Sequence, residues 1–154
     1  MSQNSTKPDK PGQVADAMTG NWVDNFAPIK LRPYLRLSRA DRPIGTWLLL
    51  IPCWWGLLIG ILEDENVLAS DFWLLFSCSI GAFLMRGAGC TWNDILDRKI
   101  DGAVERTRTR PIPSGQVNLS QAIVWMILQI GLAGVILLSY NLTSIILGLS
   151  SLFL

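Results

Sequence analysis

Three long stretches almost without charge decide what this chain can fold into. Ile44 to Leu62 runs for 19 uncharged residues, close to the roughly 20 that cross a bilayer. Phe72 to Trp92 makes 21 more, broken only by Arg86, and from Pro111 to Leu154 there is no charge in 44 residues. That last block divides into a polar entry, a span over about 119–139, a Tyr140-Asn141 break and the opening of another span at 142–154. The fold class expected is all-α, a multi-span transmembrane helical bundle. Only 13 residues follow Asn141, a rise of about 20 Å against a hydrocarbon core of roughly 30 Å. The expectation is therefore a bundle cut to about three and a half spans.

Charge sets the orientation. The net value of +1 says little, because the charges are segregated. Seven Lys/Arg precede the first apolar block and five lie between Arg98 and Arg110, whereas 63–71 carries four acids and no base. The positive-inside rule places the N-terminus and the 93–118 loop in the cytoplasm and 63–71 outside. The expected setting is a bacterial inner membrane, with lipid as a partner and nucleic acid not among the partners. Residues 1–30, polar and without periodicity, read as a flexible cytoplasmic tail. No secretory signal is expected, since the first apolar run begins at Ile44. In 31–43, Arg32, Arg36 and Arg39 share one side and Leu31, Tyr34 and Leu35 another, which suits a basic amphipathic turn in the headgroup layer or a snorkelling flank. Pro52 suggests a kink in the first span.

Histidine is absent, which removes the commonest transition-metal ligand and general base. Cys53, Cys78 and Cys90 lie in apolar runs without CxxC spacing and are expected as buried free thiols. Several of the seven tryptophans stand near block ends, as interfacial aromatics do. Trp92 is one of these; an interfacial anchor and a cavity aromatic are its two readings. Arg86 has two readings as well, a functional charge inside the membrane or a side chain that snorkels to the nearby edge.

The acids at the cytoplasmic edge follow a pattern. In a helix Asn93, Asp97 and Asp101 fall at i, i+4 and i+8, one amide and two carboxylates on one face, with Asp94 at its edge. Stacked like charges repel, so the row needs a reason. Hard cations such as Mg²⁺ prefer oxygen ligands, and a metal lets carboxylates hold an anion they would otherwise repel. Arg106 and Arg110 follow, placed to clamp phosphate oxygens in bidentate fashion. Their plainer role is to fix topology. Pro111, Pro113, Ser114 and Gly115 make a turn whose N–H groups suit an anion or merely reverse the chain. Together these features suggest a site for a diphosphate on a greasy tail.

These residues carry a resemblance. The run GCTWNDILDRKIDGAVERTRTRPIPSG is similar to the first aspartate-rich motif of the UbiA superfamily of intramembrane prenyltransferases, NDxxDxxxD followed by ERTxxRPxPSG. Upstream, RADRPIGTWLLLIPCWWG resembles the first helix of the branch that prenylates 4-hydroxybenzoate. The likeness covers 31–154, which it implies is the N-terminal part of a UbiA-like transmembrane domain.

The resemblance implies an Mg²⁺-dependent transfer of a polyprenyl group from a polyprenyl diphosphate to the ring of 4-hydroxybenzoate or a similar aromatic acid, in ubiquinone biosynthesis. It assigns Asn93, Asp94, Asp97 and Asp101 to the metal, with Asn93, Asp97 and Asp101 catalytic. It assigns Arg106, Arg110 and Ser114 to the diphosphate, and Arg39 and Arg42 to the aromatic substrate or the diphosphate. One departure is plain: the second aspartate motif, DxxxD, and the YPFxKR-like loop of such proteins do not occur in these 154 residues. Little or no transfer by the chain alone is the expectation. The alternatives are a non-catalytic membrane fragment or subunit, and a UbiA-like enzyme with another aromatic acceptor.

Overall fold

The structure is a computed structural model that describes residues 20–64 and 66–151, Asp64 by its backbone only. Six helices follow in order: α1 (Trp22–Phe26), α2 (Arg32–Leu37), α3 (Ile44–Asp64), α4 (Ala69–Ala103), α5 (Leu119–Leu138) and α6 (Leu142–Ser150). No strand occurs among the described residues. Three of the helices, α3, α4 and α5, are long and apolar enough to cross a membrane. Their outward side chains are large and greasy: Leu48, Trp55, Ile59, Phe72, Val124 and Val135 are all exposed. In water such surfaces would associate, whereas in lipid they are solvated, and a helix meets every interior backbone group without outside help. This is a membrane-integrated helical protein.

α3 continues through Pro52, and α5 closes one residue short of the expected 139. α6 opens where a further span was expected, with the Asn141 side chain accepting from Ser144 N at 2.8 Å; residues 152–154 lie outside the described part. α4 differs more. It does not end with the apolar block at Trp92 but runs 35 residues to Ala103. At about 1.5 Å per residue it is some 52 Å long, well beyond a hydrocarbon core of roughly 30 Å. Nothing in Asn93–Asp101 breaks a helix, and the first glycine beyond the acidic row, Gly102, stands at its end. The acidic row, expected in the 93–118 loop beyond the second span, belongs to the last third of a long helix.

The described chain divides into two compact units. One holds residues up to 43 together with 87–126. Its core gathers Leu37, Ile95, Val117 and Ala122, flanked by Tyr34, Ile112, Trp125 and Met126. A second cluster joins Val23, Ala27 and Ala40. Here the reading of 1–30 as a tail meets a folded segment: residues 1–19 lie outside the described part, but α1 is capped by Asn21, buries Val23 completely and sends Trp22 Nε1 to the Ala40 carbonyl at 2.7 Å. The basic face of 31–43 also departs from expectation. Arg36 is buried on Asp24 at 2.6 Å and Arg32 Nε donates to the Ala27 carbonyl at 2.9 Å. These arginines turn to protein partners rather than to headgroups.

The other unit comprises 44–86 and 127–154. The Tyr140 hydroxyl lies 2.8 Å from Ser77 Oγ, and Ser77 is wholly buried. Trp54 Nε1 donates to the Leu75 carbonyl at 3.4 Å. The Arg86 guanidinium lies over Gly45, where a Cβ would collide with Nε. All three cysteines are free, yet only Cys90 is buried, with Cys53 exposed and Cys78 half-buried. The expectation of three buried thiols fails for Cys53 because an apolar block in a membrane protein faces lipid as readily as protein.

Candidate functional site

The acidic row stands on the last turns of α4, and burial splits it in two. Asn93 and Asp97 are exposed, whereas Asp94 and Asp101 are buried. Helix geometry explains the division. At about 100° per residue, Asn93, Asp97, Asp101 and Asp94 lie in that angular order within roughly a 100° arc. The row expected from spacing is therefore real, and the side of it carrying Asp101 and Asp94 rolls into the protein beside Ile95.

Arginines meet the buried side. Arg39 Nη2 donates to Asp94 Oδ1 at 2.7 Å, and Arg110 Nη1 donates to Asp101 Oδ2 at 2.8 Å and to Asp94 Oδ1 at 3.4 Å. Asp94 is only 2% exposed, and Arg39 and Arg110 only 12% and 17%. The repulsion noted in the sequence is thus relieved by two cations the chain itself supplies, one of them 55 residues away.

Local structure places both arginines. Arg110 is carried by a chain of turns after α4: Thr107 Oγ1 donates to the Asp101 carbonyl at 3.0 Å, and Arg110 N donates to the Thr107 carbonyl at 3.0 Å. Thr107 is buried and ties the basic loop to the end of the acidic helix. Sequence spacing gave it no role; a hydroxyl six residues after Asp101 is a signal visible only once α4 is known to end at Ala103. Beyond it, Gly115 takes the left-handed conformation at φ 75° that closes the turn into Gln116 and Val117.

Arg39 is held differently. α2 ends in a Schellman arrangement, with Ala40 N donating to the Leu35 carbonyl at 2.9 Å and Arg39 N to the Arg36 carbonyl at 3.0 Å. The left-handed position of that motif usually belongs to glycine, but here it is Arg39, at φ 56°. A side chain there costs about 1–2 kcal/mol. The strain coincides with the residue that reaches Asp94.

The remaining sequence candidates are more exposed. Arg42, 30% exposed, places Nε 3.3 Å from Asp41 Oδ2. Arg106 is exposed. Ser114 is exposed too, its hydroxyl donating to the Arg110 carbonyl at 2.6 Å and accepting from Gln116 Nε2 at 2.7 Å. Side-chain ion pairs bring Asp94, Asp101, Arg39 and Arg110 together; Ser114 meets the backbone carbonyl of Arg110, and Asn93, Asp97 and Arg106 are exposed.

The donor chemistry fits a hard cation in kind, since every candidate ligand atom is oxygen. Among the described residues no three or more of His, Cys, Asp and Glu are grouped so as to hold a metal ion. Mg²⁺ does not need such a cage: it usually takes one or two carboxylates, keeps water and draws other ligands from a substrate's phosphates. Exposed Asp97, with Asn93 one turn before it, suits that mode.

Comparison with known proteins bears on this geometry. Residues 49–154 match the model of the UbiA prenyltransferase family. The chain belongs to the UbiA prenyltransferase family. It is 48% identical over 132 residues to the mitochondrial 4-hydroxybenzoate polyprenyltransferase of Rattus norvegicus, covering 86% of this chain and 34% of the rat protein. To the Arabidopsis thaliana protein of the same name it is 47% identical over 135 residues, 87% of this chain and 32% of that one. To the Homo sapiens protein it is 44% identical over 147 residues, 96% of this chain and 38% of the other. The chain thus spans about a third of the length of the curated relatives it matches. No solved structure gives a match.

Proposed function

We propose that this chain provides the donor-binding part of a reaction in which a polyprenyl group passes from a polyprenyl diphosphate to the ring of 4-hydroxybenzoate, in ubiquinone biosynthesis. Support comes from one observation above others: exposed Asn93 and Asp97 share a helix face with Asp94 and Asp101, which two arginines hold from the protein side. Relatives named for this reaction and the membrane-spanning helices agree with it.

In this reading Asn93, Asp94, Asp97 and Asp101 form the row that would hold the metal, Asp97 being its exposed carboxylate. Mg²⁺, when bound, draws negative charge off the diphosphate as the allylic C–O bond breaks. Arg110 and Arg106 bind phosphate oxygens, and Ser114 closes the turn that carries Arg110. Arg39 and Arg42 serve the aromatic acid or the diphosphate. Residues 31–154 act as the N-terminal part of a UbiA-like transmembrane domain, and 1–30 as a cytoplasmic extension. The chain sits in a bacterial inner membrane with its N-terminus and residues 93–118 at the cytoplasmic side, as the basic residues direct.

A chimera tests this. Residues 20–154 replace the matching stretch of the rat relative, and the product is expressed in cells lacking their own 4-hydroxybenzoate prenylation. Prenylated 4-hydroxybenzoate is expected from the chimera and not from one carrying Asp97→Ala and Asp101→Ala. Equal product from both would overturn the assignment of the acidic row.

A further inference from the structure

The first described helix turns large apolar side chains outward, although it is not one of the three spanning helices. In α1, Trp22 and Phe26 stand at i and i+4 on one face, and both are exposed, Phe26 by 83%. Ile29, just beyond the helix, is 78% exposed, and Lys30 beside it is exposed as well. The polar groups of the helix are met from within the protein. Asp24 is buried on Arg36 at 2.6 Å, Asn21 Oδ1 accepts from Asp24 N at 3.0 Å, and Trp22 Nε1 donates to the Ala40 carbonyl at 2.7 Å. A helix whose acid faces inward while its largest apolar side chain faces outward is turned the wrong way for water.

Contacts inside one compact unit fix the level at which this helix lies. α5, at 20 residues and about 30 Å, matches the hydrocarbon core and has little length to spare outside it. Trp125 stands six residues into α5, about 9 Å from its start, and its Nε1 donates to Ser38 Oγ at 2.8 Å. Leu37, next to Ser38, shares a core with Ala122 of α5 and Ile95 of α4. The segment Leu37–Ala40 is thus packed against the membrane end of α5, and Trp22 is bonded to that segment directly. At this level the surroundings are the boundary between headgroups and acyl chains, where tryptophan is enriched and apolar side chains leave water.

We propose that Trp22, Phe26 and Ile29 form an interfacial anchor seated in the lipid leaflet that α5 enters. Phe26 and Ile29 dip below the phosphates, the Trp22 ring lies among the headgroups, and Lys30 extends its ammonium to an anionic lipid phosphate. The headgroup contact expected from the arginines of 31–43 is made by this apolar group and one lysine, because Arg32 and Arg36 are taken by protein partners.

Spin labels test this in the whole chain, held in nanodiscs of phosphatidylethanolamine and phosphatidylglycerol. Phe26→Cys and Ile29→Cys are labelled singly after Cys53, Cys78 and Cys90 are changed to alanine. Both labels are expected to collide more with oxygen than with a water-soluble nickel chelate, at a depth of about 5–10 Å. Labels reached more readily by the nickel chelate would overturn the proposal by placing the segment in water. Labels reached by neither reagent would overturn it too, with protein, a second copy or another segment, as the cover. Should the cysteine-free chain fail to fold, benzoylphenylalanine in place of Phe26, with the cysteines intact, keeps the question open to measurement. Irradiation is then expected to add the mass of a phospholipid; a protein cross-link or no adduct would contradict the anchor.

Discussion

Arg39 carries two opposed terms that substitution can separate. Its left-handed backbone costs about 1 kcal/mol or somewhat more relative to glycine. Its guanidinium meets Asp94, 2% exposed, at 2.7 Å. Breaking a buried pair by removing one partner costs about 3–5 kcal/mol. The second approach to Asp94, from Arg110 at 3.4 Å, cushions the loss, so about 3 kcal/mol is the reasonable figure here. Arg39→Ala keeps the strain and loses the pair, for a net loss of about 3 kcal/mol. Arg39→Gly also loses the pair but relieves the strain, so its loss is about 2 kcal/mol. In an Asp94→Leu background the sign reverses: no pair is left to break, and Arg39→Gly stabilises by about 1 kcal/mol. The assay is unfolding in bicelles against added denaturing detergent, followed by near-UV circular dichroism. Were Arg39→Gly as stable as wild type, or destabilising by the same amount with and without Asp94, the ion pair would not be what holds the strained turn.

Three other substitutions have expected outcomes. Asp97→Ala should leave stability within about 0.5 kcal/mol of wild type, since an exposed side chain with no described contact is removed. Asp101→Asn should cost about 1–3 kcal/mol by weakening the charge-assisted bond to Arg110; equal stability of the two variants in the same unfolding assay would contradict the split of the row. Tyr140→Phe removes the 2.8 Å bond to Ser77. A loss of about 0.6–1 kcal/mol is expected, because Ser77 Oγ keeps the Leu74 carbonyl as acceptor. No change in thermal midpoint would mean the hydroxyls do not tie the chain there.

The spans were legible because lipid leaves a backbone so few solutions. Apolar stretches of bilayer length mark α3, α4 and α5, the second interrupted only by Arg86, and the Asn141 break marks the start of α6. The acidic row was legible as a helical phase, since i, i+4 spacing is fixed by the turn. Which side of the row is buried was not, because that depends on partners distant in sequence: Arg39 reaches Asp94 across 55 residues. The left-handed Arg39 left no trace either, as the usual sign of that conformation is a glycine. α1 hid in a polar segment because the helix itself buries one apolar residue, Val23, too little for a periodicity. The continuation of α4 was hidden by the change from apolar to charged residues at Asn93, which marks the membrane edge and not a helix end.

In the proposed function an exposed carboxylate, Asp97, gathers a divalent ion for a lipid-linked diphosphate. The direct measurement is the affinity of the chain in nanodiscs for a polyprenyl diphosphate as Mg²⁺ is titrated, for wild type and for the equally stable Asp97→Ala. Wild type should bind only when Mg²⁺ is present and release on chelation, and Asp97→Ala should bind at least tenfold more weakly at every Mg²⁺ concentration. Equal affinity in the two proteins, or wild-type binding that survives chelation, would contradict it.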